Sequence, residues 1–85
     1  MHRKPTPVLR LRAEQFQRHC RQLGLESPTA QAEHLGLSKW TVSRLLSGAI
    51  VPGEHVIACT LYSFPSLRFE DFFEVIDAGV KESAA

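Results

Sequence analysis

From residue 11 onward, apolar residues recur at spacings of three and four, a period that belongs to helices rather than strands. Beyond Leu11 the first stripe is Ala13, Phe16, Cys20 and Leu23, with Arg12, Gln15, Arg18, His19 and Gln22 on the other side and Gly24 as its stop. Ser27-Pro28 sets a capping hydroxyl before a proline whose missing N–H costs nothing at the first helical position, and so opens a second helix over 28–35 with Ala32 and Leu35 inward. Only Gly36-Leu37-Ser38 separates it from a third helix, capped by Ser38, carrying Val42, Leu45 and Leu46 inward and ended by Gly48. A fourth helix over 54–62 is apolar nearly all round, the pattern of a helix at the centre of a core. After Phe64-Pro65, a last helix places Phe69, Phe72, Phe73 and Ile76 at i, i+3, i+4 and i+7, with Glu70 and Asp71 favourable in its first turn. No strand-period stretch or internal repeat is evident. The expected fold is all-α: five helices over 11–78, a flexible basic arm over 1–10 and a disordered tail over 79–85.

Two short helices joined by three residues with a glycine cannot lie side by side antiparallel, so residues 32–48 predict a helix-turn-helix corner. Ala32 permits close approach, Gly36 accepts a backbone angle that a side chain opposes, and Leu37, Val42 and Leu45 fill the angle. With the inward face so fixed, Trp40, Ser43, Arg44 and Ser47 point outward, with Lys39 and Thr41 on the flanks. That face suits the DNA major groove, where Arg or Lys bonds guanine, hydroxyls donate or accept, and an apolar side chain meets the thymine methyl. Helix starts near Ser27, Thr29 and Ser38, together with Ser47, suit phosphate oxygens. Each residue also has a plainer reading: Lys39 and Arg44 as solvated charges, Ser27 and Ser38 as caps alone, and Trp40 folded back on its own helix or on the second. Phe69, Phe72 and Phe73 read most economically as core. Consecutive phenylalanines cannot face the same way, however, so this helix, with Ile76, is also the candidate dimer surface.

With 44% hydrophobic and 22% charged residues in 85, the composition is that of an ordinary globular domain, too small for both a core and a deep substrate cleft. The net charge of +1 conceals a split. Residues 1–50 hold eight Lys or Arg against three Glu, whereas 51–85 hold two against six Asp or Glu. A polyanion-facing half and a half that faces away are expected, with Arg3, Lys4, Arg10 and Arg12 adding sequence-independent attraction. No apolar run approaches the roughly 20 residues that cross a bilayer, and Met1-His2-Arg3-Lys4-Pro5 is unlike a signal peptide, which suggests a soluble intracellular protein. Cys20 and Cys59 make no disulfide framework, and only His55 and Cys59 share a helical face, so no metal is expected. No nucleophile, acid and base converge, and no glycine loop cradles phosphate, which argues against an enzyme or a bound cofactor.

The run Ala32-Glu33-His34-Leu35-Gly36-Leu37-Ser38-Lys39-Trp40-Thr41-Val42-Ser43-Arg44-Leu45-Leu46-Ser47-Gly48 resembles the helix-turn-helix of Cro/cI-type (XRE-like) DNA-binding domains, found in phage repressors and bacterial regulators. Phe69-Glu70-Asp71-Phe72-Phe73-Glu74-Val75 is similar to the tails of actinobacterial and actinophage members. The resemblance implies a five-helix fold, base-reading positions at Lys39, Trp40, Thr41, Ser43 and Arg44, and phosphate-clamping positions at Ser27, Ser38 and Ser47. It further implies a repressor bound as a homodimer to a near-palindromic operator, in the cytoplasm or nucleoid of a bacterium or phage host. Two positions depart from the family pattern: Pro28 replaces a frequent glutamine, and Gln31 a usual leucine, which is expected to weaken the local core and leave a polar group for DNA. The rival expectation is an antitoxin-like or adaptor module that binds a protein through Trp40 or the phenylalanine helix.

Overall fold

The computed structural model describes residues 4–79, which form β1 (Pro7–Leu11), α1 (Ala13–Gln22), α2 (Pro28–Leu35), α3 (Lys39–Ser47), α4 (Glu54–Ser63), α5 (Phe69–Phe72) and β2 (Phe73–Asp77). Local signals set α2 and α3. Ser27 Oγ accepts from the Ala30 N–H at 3.0 Å and Ser38 Oγ from the Thr41 N–H at 3.1 Å, caps worth about 1 kcal/mol each. Gly36 ends α2 in the left-handed region, at φ 75°, and the N–H groups of Gly36 and Leu37 both reach the Ala32 carbonyl.

The all-α expectation is corrected at the two ends of the chain. β1 and β2 pair antiparallel in register from Pro7 opposite Asp77 to Leu11 opposite Phe73. The fifth helix is therefore one turn long, and residues 7–10, expected within the arm, are a strand. The competition is settled at the Phe72 carbonyl. Continued helix would give it the N–H of Ile76; instead the Arg12 N–H donates to it at 2.7 Å, and Phe73 turns extended at φ −129°, ψ 148°. Val75 and Ile76 are β-branched and favour the strand once a partner is present. Pro7 stands at the first strand position, where a missing donor is harmless.

Phe16, Phe64 and Phe72 form the centre of the core, with ring centroids 4.9 to 6.3 Å apart, surrounded by Leu11, Cys20, Ala32, Leu35, Val42, Leu45 and Phe73. Phe72 and Phe73 are thus removed from the candidate dimer surface: they are 0% and 2% exposed, because the change from helix to strand at residue 73 turns both inward. Phe69 is half-buried against the Phe73 ring, and Ile76 is half-buried opposite Val8. The central position expected for α4 is also corrected. Thr60 is its one fully buried residue, with Oγ1 donating to the Val56 carbonyl. Rings from α1, α5 and the α4–α5 connection fill the middle, so α4 lies beside it, tied to α2 where Ser63 Oγ donates to the His34 carbonyl and His34 Nε2 to the Ser63 carbonyl.

Candidate nucleic-acid interface

Val42 and Leu45, 1% and 3% exposed, fix the phase of α3 and turn the opposite side outward. Lys39, Trp40, Ser43, Arg44 and Ser47 are all exposed there. Trp40 is 73% exposed, so its ring is not folded back onto α2 or the first turn of α3. Thr41 differs from its neighbours: it is half-buried, and its Oγ1 lies 2.9 Å from Ser38 Oγ, which adds it to the cap and turns it from the outer face. Between Glu33 and Glu54 the sequence has no acidic residue, so Lys39 and Arg44 act on this face without a nearby carboxylate of α3 or its flanking loops.

The start of α2 forms the second wall. Pro28 with Lys39, Trp40, Ser43, Leu46 and Ser47 borders an open groove of about 600 Å³. The sequence marked Pro28 as a helix start and as a departure from the glutamine frequent in the resembling family; its place beside Trp40 arises from the α2–α3 crossing, which no local pattern encodes. Ser27 and Thr29 are exposed at that end, and Ser47 Oγ donates to the Arg44 carbonyl at 3.1 Å, leaving the lone pairs of its oxygen available to a donor. Gln31 is not a spare polar group. It is 3% exposed, and its side-chain amide donates to Gln17 Oε1 and to the Leu25 carbonyl, both at 3.0 Å, so it joins α1 to α2 from within.

The basic residues of the amino-terminal segment are less uniformly placed. Arg12 lies 3.9 Å from Glu74 with both side chains about 40% exposed, a pair of small energetic weight that nevertheless directs the guanidinium toward β2. Arg10 stands opposite Glu74 in the sheet register, and Lys4 is exposed ahead of β1. Arg3 and the tail over 80–85 lie outside the described residues. His55 and Cys59 approach within 3.5 Å, and among the described residues no group of three or more His, Cys, Asp or Glu converges as a metal site would require. No helix of the described residues is long and apolar enough to cross a membrane. Compared with protein-family models, curated proteins and solved structures, the chain matches none.

Proposed function

We propose that the protein is a sequence-specific double-stranded DNA-binding regulator that acts by occupancy, with α3 lying in the major groove. The observation that carries this reading is the exposure of Trp40 between Lys39 and Arg44 on a helix face free of carboxylates. The groove is about 12 Å wide and admits such a helix. Arg44 and Lys39 suit guanine O6 and N7, Ser43 either base edge, and Trp40 the thymine methyl. Helix starts at Ser27 and Ser38, with Thr29 and Ser47, supply donors for phosphate oxygens on either side. Two copies on half-sites about 34 Å apart fit a near-palindromic operator, and a repressor is the simplest outcome of covering it.

Trp40 is the single tryptophan of the chain, so its emission reports on this face directly. Titration with duplexes recovered from a random pool is expected to quench it. Affinity should fall on the order of a thousandfold between 50 and 200 mM salt if six or so phosphates are contacted. Unchanged emission on addition of every duplex would refute the reading. A second reading follows from the groove itself, since Pro28, Trp40, Val42 and Leu46 give it an apolar lining suited to a polypeptide. A protein partner there would quench the same emission with little dependence on salt.

A further inference from the structure

α2 packs chiefly on α3 and α4, and its buried apolar side chains, Ala32 and Leu35, belong to its second half. Its first turn has no such anchor: Pro28 and Thr29 are exposed and Ala30 is half-buried. The first buried side chain of the helix is that of Gln31, at 3% exposure. A buried amide costs stability unless it is hydrogen-bonded, and this one is. Nε2 donates to Gln17 Oε1 on α1 and to the Leu25 carbonyl, each at 3.0 Å. A carbonyl only accepts, so the Leu25 bond fixes which end of the amide is the nitrogen, and both of its hydrogens are engaged.

The bond to Leu25 reaches back across Glu26, Ser27 and Pro28, the residues that lead into α2. Leu25 is itself fastened to α1, since its N–H donates to the Cys20 carbonyl at 2.8 Å and its side chain packs against the core. The entry to α2 is thus referred to α1 through Gln31, while the second half of the helix is held by the core. We infer that Gln31 is a positioning residue for the DNA surface: by tying the entry of α2 to α1, it sets the place of Ser27 and Thr29 relative to the outer face of α3. The inference rests on the reading of α3 as a major-groove helix and adds the residue that keeps a second contact, to phosphate, in register with it. A hydrogen bond of about 2.9 Å is lost when its donor moves by about 1 Å, so a slack entry to α2 forfeits the contact. Glu26, exposed one residue ahead of the cap, then offers the strand a charge of the wrong sign.

A duplex recovered by selection is rebuilt with a neutral methylphosphonate at one linkage at a time, and the affinity of the full chain is measured for each. Binding should weaken at least about tenfold at a linkage where Ser27→Ala reduces the penalty, which assigns that phosphate to the start of α2. In Gln31→Leu the same penalty should shrink to within about twofold, with base preferences at the α3 face unchanged. Gln17→Ala, which removes one of the two acceptors at a half-buried position, should shrink it in part, and it carries the test if Gln31→Leu melts below the assay temperature. A merely structural role for Gln31 lowers affinity for every duplex alike. An undiminished penalty in either variant would therefore overturn the inference while DNA binding stands, as would the lack of any linkage whose penalty depends on Ser27. A native chain that binds no duplex defeats the DNA reading, and this inference with it.

Discussion

Replacing Phe72 by alanine removes the ring on which the two ends of the chain converge. Its centroid lies 6.2 Å from that of Phe16, 4.9 Å from Phe64, 5.3 Å from His19 and 6.4 Å from Phe73, and the residue is fully buried. Deleting such a ring costs about 3–5 kcal/mol, because the transfer free energy is lost and the surrounding rings close the cavity only in part. A chain of 85 residues has roughly 4–13 kcal/mol of stability in all, so the variant is left marginal or unfolded. An unfolding entropy of about 2.1 cal/mol/K per residue gives roughly 0.18 kcal/mol/K for the chain, and the midpoint should drop by about 17–28 °C. Thermal melts followed by far-ultraviolet circular dichroism, with urea titrations on the same samples, measure this. Phe69→Ala, at a half-buried ring, should lose distinctly less. A drop under about 5 °C for Phe72→Ala, accompanied by loss of self-association, would refute the core assignment and return Phe72 to an oligomer interface.

Arg44→Ala, at an exposed position of the α3 face, should weaken specific binding by about 1–3 kcal/mol and relax discrimination at one base pair; a uniform loss across all selected duplexes would show that Arg44 holds phosphate and reads no base. Burial pushes the Cys20 thiol up from 9.0 to about 11, so between those values the folded chain keeps a proton that the unfolded chain releases. This contribution to stability is intact below pH 9 and is lost as pH rises through 11, a fall of about 1–3 kcal/mol by urea titration that Cys20→Ala should lack; equal slopes in both proteins would refute it.

The parts legible from sequence are those whose signals lie within a few residues of what they determine. Ser27 starts α2 and Ser38 starts α3, and Gly36 and Gly48 end them, each through a bond to a backbone group three or four residues away, while Pro28 stands at the first helical position, where a missing N–H costs nothing. Val42 and Leu45 set the phase of α3, and its outer face followed at once, apart from Thr41, which the Ser38 hydroxyl draws inward. The sheet was not legible, for two reasons. Phe73-Glu74-Val75-Ile76-Asp77 fits a helical stripe and a strand equally, as short apolar runs do. The decision also lies with Arg12 and β1, some 60 to 70 residues distant in the chain.

α4 failed differently. A helix apolar on every side has no preferred phase, so its hydropathy says that it avoids water without saying which side meets the core. The core is small and is already filled by Phe16, Phe64 and Phe72, which leaves room for one side of α4 only. Thr60 takes the fully buried position, held by its bond to Val56, while the more apolar Tyr62 is turned out. Thr60 can be buried because its hydroxyl is satisfied within its own helix, whereas Tyr62, turned out, keeps its hydroxyl in water, and a single exposed ring of this kind is ordinary on a protein surface.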